Sequence, residues 1–394
     1  MRRTIPVLAL LLAGWGAVAN AHEGDTFRPF VSYASYFDSN LFRLAENESP
    51  ATPRDDRYNV LSAGLNVDWK PGRQQIVANA TKTLVRYNRN IFLDYDGADY
   101  QATWNWRLGN HLSGNLGASE SLSQSSFDNL GQINNQVTRK RNFGRAEWEF
   151  HPRWRIGAGS EQSDNTNSAP SQISQDFQQQ SYDIALTYLT PKGSNVRLQA
   201  RQSDAKYPNR QIFFLVPVDN SYKQTDINLS GDWRVSGKLT ARAQIGQSER
   251  KNANVPQRDF KGFTGRLSGD WYPTGKTLLS VSAYQELGSA DDLNATSVLS
   301  KGASLNGVWL VREKWRLNAG ATFVNRDFQG DPGGFFSGGL RRNDDTLGAS
   351  LSLSYTPIRA VSLDVGLSTG RRDSNKSDEN YKFHLLFANV RADF

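Results

Sequence analysis

Four histidines (His22, His111, His151 and His384) and no cysteine make up the chain's supply of the groups that most often activate nucleophiles or hold soft metals. The missing Cys removes thiol catalysis, disulfide frameworks and thiolate-bound zinc. No His has a Ser or Asp partner at a recognisable spacing, and Walker glycines, dinucleotide fingerprints and metal-ligand spacings are absent. Paired acids occur at Asp55-Asp56, Asp291-Asp292 and Asp344-Asp345, all in polar stretches where solvation or a calcium ion is commoner than catalysis. The expectation is a chain that is not an enzyme and uses no cofactor or metal. A membrane lipase is the enzymatic alternative, and it would need a Ser–His pair that the sequence does not offer.

The regularly spaced charges are of another kind. Arg145, Glu147, Glu149, Arg155, Arg197, Arg201, Asp232, Arg242, Arg266, Asp270, Arg316 and Asp364 stand between apolar or small residues, with Gln202 beside Arg201 the one polar neighbour. Val361, Leu363, Val365 and Leu367 alternate with Ser362, Asp364, Gly366 and Ser368; Leu239–Gly246 and Trp315–Phe323 repeat the pattern. Strand side chains point to opposite faces in turn, so each segment has one apolar and one polar, charged face. So many charges cannot face lipid and require water. There they would act on passing solutes, or pair across neighbouring strands and stiffen the wall.

Composition agrees with strands that hold no large core. Of 394 residues 38% are hydrophobic and 11% aromatic, with a mean hydropathy of -0.60, against about 45–50% apolar for an ordinary soluble domain. After the first 21 residues no apolar run approaches the roughly 20 needed for a membrane helix. Eight short turns follow aromatic residues, beginning Trp69-Lys-Pro-Gly72 and Trp106-Arg-Leu-Gly109 and ending Tyr355-Thr-Pro-Ile358. They recur roughly every 37–45 residues, the length of two strands and one longer loop. Long polar stretches alternate with them, at 38–57, 124–138, 166–178, 208–220 and 328–343. The sum is about eighteen strands and nine long loops, with both termini on the short-turn side. Trp69, Trp104, Trp106, Trp148, Trp154, Trp233, Trp271, Trp309, Trp315 and Tyr355 mark the short-turn boundary, as an interfacial girdle would. The expected fold is all-β: a single transmembrane antiparallel barrel of the bacterial outer membrane, wide enough for an aqueous channel.

Arg2, Arg3, the apolar run Val7–Val18 and Ala19-Asn20-Ala21 read as a signal peptide over 1–21 that leaves 22–394 as the barrel. Its loss lowers the formal charge from +7 to +5, no footprint for nucleic acid. At the other end Phe394 closes an alternation with Ala392, Val390, Ala388 and Leu386. This resembles the signal by which the barrel-assembly machinery inserts outer-membrane barrels. Arg139-Lys-Arg141, Arg341-Arg342 and Arg371-Arg372 would be loop clusters at or near the outer mouth, either gathering an anionic polymer or contacting lipopolysaccharide phosphates. The apolar loop Ile212–Val218 and the glycine-rich Gly330–Gly339 are candidates for a constriction and a lid. Most aromatics fall on the outward register, with Tyr284 an exception, which counts against a lumenal ladder for sugars.

Asp38-Ser-Asn-Leu-Phe-Arg-Leu44 resembles a "DDNLFRL" stretch of the EpsL-type exopolysaccharide biosynthesis outer-membrane proteins, with Ser39 at the second acidic position. Trp104–Gly109, Phe150–Trp154, Tyr207–Arg210, Arg258–Phe260, Pro273–Lys276 and Leu340–Thr346 match in the same order. The resemblance implies a conduit that exports an extracellular polysaccharide together with a periplasmic polysaccharide-export protein, and it brings no catalytic residues. A general or sugar-selective diffusion porin is the alternative. On either reading the lumen would be lined by Arg155, Arg197, Arg201, Asp232, Arg242, Arg266, Asp270, Arg316 and Asp364.

Overall fold

The computed structural model describes residues 25–394 apart from 49–51, 129, 210, 214–215, 254–255, 257–258, 290–296 and 330–340. The signal segment, Asp291-Asp292 and the stretch 330–339 therefore lie outside the described residues. The first nine strands are β1 (Phe27–Asp38), β2 (Asp56–Trp69), β3 (Gln75–Tyr87), β4 (Tyr95–Leu108), β5 (Leu112–Gln124), β6 (Gln136–His151), β7 (Trp154–Asn167), β8 (Phe177–Leu189) and β9 (Asn195–Lys206). A small hairpin, β10 (Gln211–Phe213) and β11 (Val216–Val218), forms a sheet of its own; the side chains of 211–218 lie outside the described residues. The series continues with β12 (Tyr222–Ser236), β13 (Leu239–Asn252), β14 (Phe260–Thr274), β15 (Thr277–Ser289), β16 (Ser297–Arg312), β17 (Trp315–Gln329), β18 (Asn343–Ile358), β19 (Val361–Ser374) and β20 (Tyr381–Asp393).

Each barrel strand pairs antiparallel with the next, and β1 pairs with β20 from Phe30↔Asp393 to Asp38↔Leu385, closing an eighteen-stranded barrel. Closure leaves no unpaired edge, the condition for a sheet in lipid. The Phe394 N–H extends the seam onto the Pro29 carbonyl at 2.9 Å. All eight short turns lie where the sequence places them, and five carry a register irregularity beside the turn. Gly72 and Gly109 have φ of 63° and 60° in theirs, a backbone conformation open to Gly at little cost.

The outward register is the apolar one. Leu267, Leu305, Ile245 and Val365 are exposed at mid-strand, and Trp69, Trp148, Trp233, Trp271 and Trp309 stand exposed toward the short turns. Trp315 and Tyr355 stack at 4.3 Å on adjacent strands. The largest buried apolar cluster is not between layers but inside the barrel, around Leu41, Phe42, Leu44, Val85, Tyr87 and Leu93.

Candidate functional site: the narrowed outer half of the lumen

The inner cluster begins with the segment after β1. Tyr36, Tyr58 and Tyr87 lie opposite one another on β1, β2 and β3, in the register facing away from the exposed belt. Tyr36 and Tyr58 stack at 4.9 Å, and Tyr58 and Tyr87 lie 5.1 Å apart. On this platform sit Leu41, Phe42 and Leu44, with Phe42 fully buried. Polar contacts fix the turn. The Asn40 carboxamide donates to the carbonyls of Leu44 (2.9 Å) and Lys382 (3.0 Å) and accepts from the Leu44 N–H (3.0 Å). Arg43, at φ 58°, pairs with Asp38 at 2.9 Å and lies 3.8 Å over the Phe383 ring. Asp38-Ser-Asn-Leu-Phe-Arg-Leu44 is therefore an inward-folded element that narrows the lumen.

A second loop, 125–135, meets it. Phe127 packs edge-on against Phe42 at 5.2 Å, Asp128 lies 3.8 Å from Arg43, and Asn134 donates to the Phe92 carbonyl at 2.5 Å. Beyond it lies a cavity of about 300 Å³, lined on one side by Arg139, Asn165 and Phe177 and on the other by Val298, Ser300, Arg326 and Phe328. The two linings come from β6–β8 and β16–β17, far apart around the barrel. The cavity thus lies between opposing walls. Asp128→Asn should raise anion over cation permeability, by up to about fivefold, since a unit charge at contact distance in water is worth about 1 kcal/mol. The reversal potential in a salt gradient measures this, and the shift should shrink as salt rises.

Nearer the short turns, the predicted charges stand opposite the belt and are largely partnered. Arg155 pairs with Glu149 at 2.8 Å, Arg197 with Glu147 at 3.2 Å and Arg201 with Glu161 at 3.3 Å. Arg145 bridges Asp183 (2.6 Å) and Glu147 (3.2 Å). Across the barrel Arg242 joins Asp270 (2.7 Å) to Asp232 (3.5 Å), and Arg266 meets Glu286 at 2.8 Å. Asp364 accepts from Asn389 at 3.3 Å, whereas Arg316 has no ion pair among the described residues. The structure brings these residues together as cross-strand pairs rather than as one constellation.

Several expectations need correction. Arg139 and Arg141 belong to β6 and face inward, with Arg141 paired to Glu161 at 2.8 Å; they are not an external loop cluster. Arg342 and Arg372 are buried beside Asp344 and Glu379, out of reach of any polymer or lipid phosphate. Asp56 and Asp344 are likewise buried rather than solvated. Asp56 accepts from the Arg89 and Asn90 N–H groups and from the Asn90 carboxamide, tying down the loop after β3. Phe30, Tyr36, Tyr58, Tyr87, Phe383 and Phe387 are aromatics on the inward register. Alternation misses them on β1, where Tyr33 and Phe37 occupy the other face and both faces look apolar.

The family model described as "Putative beta-barrel porin 2" matches residues 229–394, from within β12 to the last residue. No curated protein matches the chain. Among solved structures, Pseudomonas aeruginosa OpdK with vanillate superposes at a TM-score of 0.52 and 11% identity, covering 93% of this chain and 99% of that one. OccK2 (OpdF) of the same organism gives 0.51 at 9% identity, with coverage of 93% and 98%. A BenF-like porin from Pseudomonas fluorescens Pf-5 gives 0.50 at 12%, with coverage of 94% and 99%. The likeness to porins overturns the expectation of a polysaccharide-export conduit with a periplasmic export partner, and a lumen crossed by two packed loops is ill suited to threading a polymer. The chain has the fold of outer-membrane porins, a closed eighteen-stranded antiparallel barrel, and its C-terminal part matches a porin family model.

Proposed function

We propose that the barrel is a passive, non-enzymatic diffusion channel for small polar solutes across the outer membrane. The observation that carries this reading is the junction of the segment 38–45 with the loop 125–135, beside which a cavity of small-molecule size lies between the walls. Arg155, Arg197, Arg201, Asp232, Arg242, Arg266, Asp270, Arg316 and Asp364 line the wider section, and their pairing keeps its net charge low. On this reading residues 1–21 direct export, and the terminal pattern Val390, Ala392 and Phe394 is read by the assembly machinery. The apolar belt contacts lipid and lipopolysaccharide. Liposomes carrying the purified protein should swell rapidly in a pentose or hexose and not in a large dextran. Absence of swelling in any solute, or equal swelling in dextran, overturns the reading.

A further inference from the structure

The cavity between the walls holds polar side chains that the fold does not use. Asn135 and Asn167 are committed: Asn135 donates to Asn167 at 2.8 Å and accepts from the Ala169 N–H at 3.1 Å, while Asn167 donates to Asp176 at 2.9 Å. Gln172 is different. It is only 4% exposed and lines the cavity, yet its carboxamide makes no hydrogen bond among the described residues. The carboxamides of Asn165 and Gln175, which line the same cavity, are also unengaged among the described residues. Buried polar groups are ordinarily satisfied by protein or ordered water, and a solute that displaces such water must offer the same bonds.

The mixture identifies the molecule. A carboxamide or hydroxyl both donates and accepts. A carboxylate ligand would use only the donors, whereas a sugar hydroxyl uses both capacities at once. Arg139 and Arg326, neither in an ion pair among the described residues, add forked donors, and Asp128 adds an acceptor. Phe177, half-buried, supplies a flat apolar face for the C–H side of a sugar ring.

The geometry points to a carbohydrate subsite in the outer half of the lumen, sized for one or two rings and held by Gln172, Asn165 and Gln175. This rests on the diffusion-channel reading and names the solute class that the channel delays and selects. The test uses the full barrel in planar bilayers with sucrose as probe and vanillate as a carboxylate comparator. Sucrose should interrupt the current in a concentration-dependent way, and Gln172→Leu should raise the half-blocking concentration about fivefold, the effect of one lost hydrogen bond. Asn165→Leu, on a regular strand, should act in the same direction and carries the test if the first variant fails to assemble. Block by vanillate without block by sucrose overturns the subsite, as does sucrose block that neither variant weakens. A wild-type barrel that conducts but ignores sucrose sinks only this inference; one that does not conduct sinks the diffusion reading as well.

Discussion

Phe42→Ala should raise the single-channel conductance and admit larger solutes than the wild-type barrel. Phe42 is fully buried, stacked on Phe92 at 6.4 Å and edge-on to Phe127 at 5.2 Å. It is thus the side chain shared by the two loops that narrow the lumen. Truncating a buried Phe to Ala costs about 3–5 kcal/mol in a packed core. The barrel itself would keep its cross-strand hydrogen bonds, so the loss falls on the docking of 41–45 and 125–135. Arg43–Asp128, at 3.8 Å and partly exposed, is too weak to hold the loops alone. The checks are the conductance in planar bilayers and the size limit in liposome swelling. Phe263→Ala, on the exposed face of β14, serves as the control and should change neither. Unchanged conductance in Phe42→Ala would show that the inner loops do not set the passage.

The barrel was legible because each of its signals is local. Every short turn has an aromatic before it, seven of the eight hold Pro or Gly (309–315 is the exception), and the strands between them alternate, so count, direction and closure follow from the chain itself. The narrowing was not legible, for a physical reason. Leu41, Phe42 and Leu44 are buried against Tyr58 and Tyr87, which are distant in sequence, and a loop's destination leaves no period. One trace was present: three apolar residues in four positions of an otherwise polar stretch, opposite a strand with aromatics on both faces. Family-like motifs marked the same segment without saying that it turns inward. The arginine doublets misled through strand geometry. Neighbours on a strand face opposite ways, so Arg371 points outward to Asp373 at 2.9 Å while Arg372 is buried in the lumen. A doublet that looks like one patch is two environments.

That division sets up the largest stability effect expected in this protein. Asp344 has no exposed surface, and Arg342 and Arg372 are 4% and 2% exposed. Arg342 donates to Asp344 through Nε at 3.0 Å and Nη2 at 2.7 Å, and Arg372 approaches the same carboxylate at 3.9 Å. Glu379 completes the group, taking Arg342 at 3.0 Å and Arg372 at 2.7 Å. The rings of Phe328 and Tyr381 lie 4.4 and 4.5 Å from the two guanidinium carbons. Among the described residues two cations and two anions meet here, and Arg342, Arg372 and Asp344 have almost no exposed surface. Asp344→Asn keeps the volume but removes the buried carboxylate that Arg342 grips through two nitrogens, and breaking a buried pair in this way costs about 3–5 kcal/mol. The loss should appear as a markedly lower unfolding temperature in detergent, followed by the heat-dependent mobility of the barrel on gels. Asp373→Asn removes the partner of Arg371, whose pair is more than half exposed on both sides; exposed pairs contribute about 0–1 kcal/mol, so its unfolding temperature should stay near that of the wild type. Equal unfolding temperatures for the two variants would mean that the inner cluster is hydrated and contributes no more than a surface pair. A large drop confined to Asp344→Asn would mark β18 and β19 as the part of the wall that the buried charges hold together.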